Sequence, residues 1–369
     1  MSKFVHLHIH SEFSLLDGAN RIKELPVRAK ELGMDAIALT DHGVMYGAID
    51  FYKACKKEGI KPIIGCEVYV APRSRLEKDP VIDKKYNHLI LLAKDEEGYK
   101  NLIKLVSIGF VEGYYYKPRI DREILEKYSK GLICLSGCLA GSVNQALLNG
   151  ENEKAEEIAL WHKKVFLDDY YIEIQYNGIE EQVLANQKLV TLAKKLDIPL
   201  VATNDAHYLK KENAYNHEVL MCIQTGKRMS DMDRMRYNTE DLYVKSAEEM
   251  IEYFKAFPEA IENTIKISDK CNVEFEFGNT ILPNYDVPKE YETHFDYLKE
   301  LCDNGLKQRY GEELNEEIKK RAEYELSVIK KMDYIDYFLI VWDFIHYAKQ
   351  NNISVGPGRR FWSRFDTCI

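Results

Sequence analysis

Nine side chains able to ligate a metal stand at or beside the ends of short apolar runs. They are His8 and His10 in FVHLHIHS, Asp17 in LLDG, His42 in ALTDHG, Glu67 in IIGCEV, His88 in NHLILLA, Cys138 in LSGCLAG, and Asp205 with His207 in ATNDAHY. On a strand, residues two apart point the same way, so His8 and His10 can address one ion, with His6 on their face and Leu7 and Ile9 opposite. Taken singly, most have an ordinary reading: a turn aspartate, a capped polar loop, a packed thiol, a core histidine. Glu67 is the exception, because a carboxylate buried alone in KPIIGCEVYV is costly and demands a cation or donor. Repeated delivery of imidazole, carboxylate and thiol from successive strand ends suggests one polynuclear site. Zinc suits that donor set first, and manganese or iron are also compatible.

The elements that must position these groups alternate. Strands are expected over 4–10, 35–40, 61–69, 88–93, 131–135, 171–175 and 199–203, with helical periodicity over 22–32, 48–58, 96–111, 153–166 and 181–196. Alternation implies parallel strands, and about seven βα units fit a closed or distorted barrel whose chemistry lies at the carboxyl ends of its strands. His88 breaks the rule by preceding its apolar run. After residue 208 the chain turns helical and polar, with helices expected over 212–224, 247–254 and 258–271 and a strand-like VEFEFG at 273–278. Prolines 283 and 288 mark a linker over 276–290, and helices are expected over 293–310, 314–331 and 337–351. The expected domains are thus a barrel over 1–275, the linker, a helical region over 291–359 and a tail over 360–369.

Composition narrows the classes. The 369 residues are 46% hydrophobic and 30% charged, and no apolar stretch approaches the roughly 20 residues of a membrane span. No secretory signal is visible at the start, and eight cysteines without a CxxC pair suit a reducing, cytoplasmic compartment. A net charge of −9 argues against gripping nucleic acid with the whole surface, though not against a local basic groove. Lys117 and Arg119 beside Tyr114, Tyr115 and Tyr116, and Lys227-Arg228 with Arg234 and Arg236, form modest basic-aromatic patches able to contact DNA. Charged loop surface is an equally ready reading of them.

The words HLHIHSEFSLLDG, ALTDHG, GCEVY, NHLILLA, SGCLAG and NDAHY resemble the polymerase-and-histidinol-phosphatase (PHP) domain, in the form at the start of bacterial DNA polymerase III alpha subunits. Further matches are YYKPRID at 115–121, MRYNTEDLYVKSAEEM at 235–250 and YFLIVWDFIHYAKQNNISVGPGR at 337–359, so the resemblance covers nearly all of 1–359. It implies a distorted (β/α)7 barrel with two or three divalent ions, followed by a helical segment that begins the polymerase palm. Carried over residue by residue, it places His8, His10, Glu67 and Asp205 around one ion. Glu67 then bridges to a second ion held with His88 and Cys138, while Asp17, His42 and His207 hold the third. No ligand position is lost.

An intact cluster implies a metal-dependent 3′→5′ exonuclease that proofreads the primer 3′ end, using metal-bound water, with Glu67, Asp205 and His207 the most essential ligands. Its partners would be DNA, the remainder of the polymerase chain and other replisome subunits, with no membrane. Two alternatives share the ligand set: a silent domain that keeps its ions for structure and docks a proofreading subunit, and a small-molecule phosphatase of the histidinol-phosphatase kind. The family's polymerising carboxylates are expected beyond this chain, so it should not synthesise DNA. Asp336 and Asp343 read as solvated helix residues. Ser354–Arg359 looks like the opening of the palm's phosphate loop, and residues 360–369 depart abruptly from the family pattern.

Overall fold

The apolar runs become strands buried on both faces, β1 Ala36–Leu39, β2 Lys61–Val70, β3 Asn87–Ala93, β6 Leu132–Leu135, β7 Tyr170–Gln175 and β8 Leu200–Thr203, joined by two short, more exposed strands, β4 Tyr114–Tyr115 and β5 Lys117–Ile120. The computed structural model describes residues 3–278 and 283–356, in two units that divide after Phe275. The helices of the first unit are α1 Leu25–Glu31, α2 Ala48–Glu58, α3 Glu96–Val111, α4 Arg122–Lys127, α5 Ser142–Leu148, α6 Asn152–Phe166, α7 Glu180–Leu196, α8 Ala214–Thr225, α9 Ala247–Tyr253 and α10 Pro258–Lys270. Local chemistry sets their ends. Asp95 and Asp121 accept from the Gly98 and Ile124 amides at the starts of α3 and α4, Ser246 and Glu249 form a reciprocal capping box on α9, and α10 begins on Pro258.

The sheet runs β1-β2-β3-β6-β7-β8, with β5 attached in parallel to the end of β2 and hairpinned to β4. Residues 4–10 join its two edges. On one side the Ala38 and Thr40 amides donate to the His6 and Ile9 carbonyls at 2.9 Å. On the other, the Ala206 amide donates to His8 O at 3.1 Å and the His10 amide to Ala206 O at 3.0 Å. The result is a distorted barrel of seven staves in an α/β fold. The strict alternation expected for residues 4–10 breaks between 7 and 8: Val5 and Leu7 pack in one apolar cluster, Phe4 and Ile9 in another. His6 therefore leaves the face of His8 and His10, and its Nε2 donates to Lys245 O at 2.9 Å.

One expectation is corrected outright. The staves are not all parallel, because β3 runs antiparallel to both β2 and β6. A parallel return needs a crossover, usually a helix, and the linking residues 71–86 carry Pro72 and Pro80 and form no helix. The amino end of β3 therefore lies at the mouth where its neighbours present their carboxyl ends. This accounts for His88, which pairs across from Tyr69.

Ile63, Ile90, Leu92, Ile133, Leu135 and Val201 form an apolar plug, which also takes in Ile267 and Cys271 from the end of α10. Glu67 follows Ile63 at the strand's two-residue period, so the carboxylate stands on the plug's face of β2, nearer the mouth. Residues 273–278 are irregular rather than a strand. Phe275 packs its ring 4.6 Å from that of Tyr52 and 4.7 Å from that of Tyr99.

The second unit contains α11 His294–Tyr310, α12 Glu316–Lys331 and α13 Ile335–Gln350 around Leu298, Cys302, Leu326, Ile329 and Leu339. Asp336 is half-buried and pairs with His294, so it is not simply a solvated helix residue, whereas Asp343 is exposed. The rest of the palm-like loop from residue 357, and the tail 360–369, lie outside the described residues. Among those described, no helix is long and apolar enough to cross a membrane.

Candidate metal centre

All nine ligand candidates converge on the barrel mouth. Glu67 is fully buried at their middle: its Oε2 lies 2.6 Å from His42 Nδ1 and 3.3 Å from His10 Nε2, and its Oε1 lies 2.9 Å from His88 Nδ1 and 3.5 Å from His8 Nε2. Cys138 Sγ stands 3.8 Å from both Glu67 Oε1 and His88 Nδ1. Asp205 Oδ1 is 3.3 Å from His8 Nε2, 3.1 Å from His10 Nε2 and 3.5 Å from His207 Nδ1. Asp17 reaches His42 Nε2 at 2.9 Å and His207 Nε2 at 3.7 Å. Three overlapping ligand triads result: His8–His10–Glu67, His42–Glu67–His88 and His10–His42–His207. His8, His10 and Glu67 form the floor, while the side chains of Asp17, His42, His88 and Asp205 keep 14–16% exposure toward solvent.

Irregular backbone makes this convergence possible. Asp205 adopts a left-handed φ of 50°, as does Leu16 at 61° just before Asp17, and such strain in non-glycine residues concentrates at functional sites. Gly43 takes φ +63° beside His42, where a Cβ would stand 2.8 Å from Tyr69 Cε2. Gly137 takes φ +85° before Cys138, where a Cβ would come within 2.7 Å of His88 O.

Four supporting residues escaped the sequence reading. Glu173 on β7 is fully buried and accepts from His8 Nδ1 at 2.7 Å, from the Gly137 amide at 3.1 Å and from Gln175 Nε2 at 2.9 Å. It could have been found by the argument used for Glu67, since it is a carboxylate within the apolar run YYIEIQ. Asp41 accepts from the Ser11 amide at 2.6 Å and from the Ser11 and Ser14 hydroxyls at 2.7 Å, and Ser14 in turn lies 3.2 Å from His10 Nδ1. Tyr237 stacks its ring on that of His217 and lies near that of His207. His217, on α8, sits with Nε2 3.8 Å from Asp17 Oδ1, and nothing local in AYNHEVLM marks it.

Electrostatics without an ion are those of crowded, mutually neutralising groups. Burial opposes the charged ring of His42, but Glu67 and Asp17 outweigh it and push its pKa up to about 10. Burial also opposes charge on His8, and the carboxylates of Asp205, Glu173 and Glu67 again prevail and raise it well above the usual imidazole value. His10 goes the other way: burial, reinforced by His42 and His207, lowers it to about 3 and keeps it neutral. Against the burial penalty, the surrounding imidazoles hold Glu67, Asp17 and Asp205 below the ordinary carboxylate range. Burial, then Glu67 and Asp205, hold the Cys138 thiol protonated.

The donor set fits divalent cations on a structural test. Asp17 Oδ1, His42 Nδ1, Glu67 Oε2, Asp205 Oδ1, His207 Nε2 and His217 Nε2 are buried without a hydrogen-bond partner, although they crowd within a few ångströms of one another. Buried polar atoms are ordinarily satisfied, and atoms this close yet misaligned for hydrogen bonding are disposed as ligands to shared cations. Three triads sharing Glu67, His10 and His42 fit more than one ion.

The DNA-contact candidates fare unevenly. Arg119 is fully buried and donates to the carbonyls of Gly113, Arg75, Glu77 and Asp83, so it braces the loop after β2 and offers nothing to a phosphate. Arg234 is ion-paired with Glu218. Arg236 is exposed, and Lys117 lines a cleft beside Asp17 and His42.

Comparison with known proteins agrees with this architecture. Residues 6–177 match the PHP domain and residues 296–360 the bacterial DNA polymerase III alpha NTPase domain. The chain is 50% identical over 360 residues to the DNA polymerase III subunit alpha of Borreliella burgdorferi, covering 97% of this chain and 31% of that protein. It is 49% identical over 358 residues to that of Treponema pallidum, covering 96% and 30%, and 47% identical over 378 residues to that of Aquifex aeolicus, covering 97% and 32%. The chain thus spans about a third of the length of these relatives.

Proposed function

Because the chain carries a PHP domain and belongs with the bacterial DNA polymerase III alpha subunits, we propose that its barrel is a metal-dependent phosphodiesterase that removes nucleotides from a DNA 3′ end, proofreading within a cytoplasmic replicative polymerase. The observation that carries this reading is the central, fully buried Glu67, which touches His8, His10, His42 and His88 while one of its oxygens remains unsatisfied. A carboxylate so placed would hold divalent cations together with those imidazoles.

Divalent ions, when bound, polarise phosphoryl oxygens and lower the pKa of water, the two requirements of phosphodiester hydrolysis. The residues supply the rest. His8 and His10 present Nε2 to the floor, with His8 oriented by Glu173 and His10 steadied by Ser14. Asp17, His42, Asp205 and His88 line the solvent-facing rim, where a phosphodiester can approach. Imidazole-rich ligation with one thiol suits zinc first, with manganese or iron as alternatives, and two or three ions fit the triads. DNA, the remainder of the polymerase chain and other replisome subunits are its proposed partners. The decisive experiment presents metal-loaded protein with a 5′-labelled primer-template bearing a mismatched 3′ end. Stepwise shortening abolished by chelation and by Glu67→Ala is expected. Full metal occupancy without cleavage would leave the structural, docking role, and turnover confined to a phosphate monoester would leave the small-molecule phosphatase.

A further inference from the structure

The cleft lined by Lys117 opens beside the metal ligands. Its volume is about 300 Å³, Asp17 and His42 form part of its wall, and half of the remaining lining is aromatic: Phe13, Tyr46, Tyr69, Phe110, Tyr114 and Tyr116, with Lys117 beside them. Three of these rings stand largely in solvent. Tyr46 is 61% exposed, Tyr114 53% and Tyr116 58%, large apolar faces that folding leaves in water. Tyr46 comes from the segment before α2, whereas Tyr114 and Tyr116 come from the β4–β5 hairpin, where Tyr116 holds a costly left-handed φ of 60° at the turn. Phe110 and Tyr114 stack with centroids 6.3 Å apart, and Lys117 Nζ lies 5.3 Å from the centre of the Tyr69 ring, whose own ring stacks alongside His42.

We propose that this cleft is the subsite for the terminal, unpaired nucleotide of a single-stranded DNA 3′ end, its base received among the tyrosines and its phosphate directed to the Asp17–His42 rim. The inference rests on the nuclease reading above and names the form of substrate that site takes. Aromatic faces accept any base, whereas a cleft of this size walled by side chains has no room for a stacked base pair and its neighbours. Lys117 supplies the positive charge that a phosphate requires in an otherwise acidic protein. Selection for a frayed end then follows from shape: a paired terminus must first open, and a mismatched one opens more readily.

The test uses the full chain with calcium in place of catalytic metal, so that binding is read without cleavage. The probe is a short oligothymidylate ending in 2-aminopurine, compared with the same strand ending in an abasic nucleotide. Stacking in the cleft should quench 2-aminopurine fluorescence, and loss of the terminal base should weaken binding on the order of tenfold. Tyr46→Ala and Tyr114→Ala should each erase that difference, and Tyr114→Phe should retain it. Because both tyrosines are exposed, the alanine variants keep the fold, which circular dichroism verifies. Equal affinity for the intact and abasic ends, or a difference that survives both alanine substitutions, overturns the subsite. Switching to manganese separates the two readings. Base-dependent binding without cleavage sinks the nuclease and leaves the subsite, while cleavage indifferent to the terminal base sinks the subsite and leaves the nuclease.

Discussion

His8 gives its Nδ1 to the buried carboxylate of Glu173 at 2.7 Å, and this bond fixes which ring nitrogen faces the centre. Nε2 is thereby committed to the Glu67–Asp205 side, and the carboxylate makes the imidazole a stronger donor. Glu173→Gln preserves the side chain's size and keeps one accepting oxygen, which can serve the Gly137 amide or Gln175 but not both, since they bond different oxygens of the carboxylate. Circular dichroism verifies that the barrel stays folded. Metal affinity should fall 10- to 100-fold, roughly the cost of losing such a support. Competition with a chelating dye measures it, and unchanged affinity would show that Glu173 only fills space.

Asp17 tests how the ions divide the ligands. It touches His42 and His207 but none of His8, His88 or Cys138 at ion-pair distance, so it serves one lobe. Asp17→Asn should remove one ion from the elemental analysis and leave the others bound. A variant that loses every ion, or none, would show that the lobes are not independent.

Loading the centre should expel protons. In the ion-free protein His42 titrates at about 10, so at neutral pH it is protonated and must release its proton to ligate, as must the Cys138 thiol. Affinity should therefore rise with pH below that value. Calorimetric titration in buffers of different ionisation enthalpy counts the protons released, and a pH-independent affinity would contradict this. Chelation should lower the melting temperature, because ligand at a thousandfold its Kd contributes about 4 kcal/mol.

Much of this centre is legible in the sequence because most of its ligands stand at strand ends, where period and turn chemistry are strong local signals. His88 shows the limit of that logic. Its residue type was readable, but its position made sense only once β3 proved antiparallel, a fact decided by the helix-free link 71–86. Glu173 was legible in principle, whereas His217 was not, since its role comes from where α8 sits, a long-range outcome of packing. Arg119 misleads in sequence for a related reason: a cation beside three tyrosines looks like a nucleic-acid patch, yet four backbone carbonyls bury it. Composition cannot tell a guanidinium facing solvent from one satisfying a loop.

His162 on α6 offers a pH test free of the metal centre. It is buried against Tyr170 and Phe166 with Nδ1 donating to Ile158 O at 2.8 Å, and burial lowers its pKa to about 4 despite that bond. The unfolded chain, with an ordinary imidazole near 6.5, binds the proton first as pH falls. Between about 6.5 and 4 the unfolded state therefore holds more protons than the folded one, so stability declines with falling pH across that window, by up to roughly 3 kcal/mol below it. His162→Phe keeps a ring in the same pocket and leaves Ile158 O its helical bond. The variant should flatten the stability profile between pH 6.5 and 4 while changing stability little at pH 8. Denaturant midpoints at each pH measure this in chelator-treated protein, and parallel profiles for the two proteins would show that His162 contributes nothing to acid sensitivity.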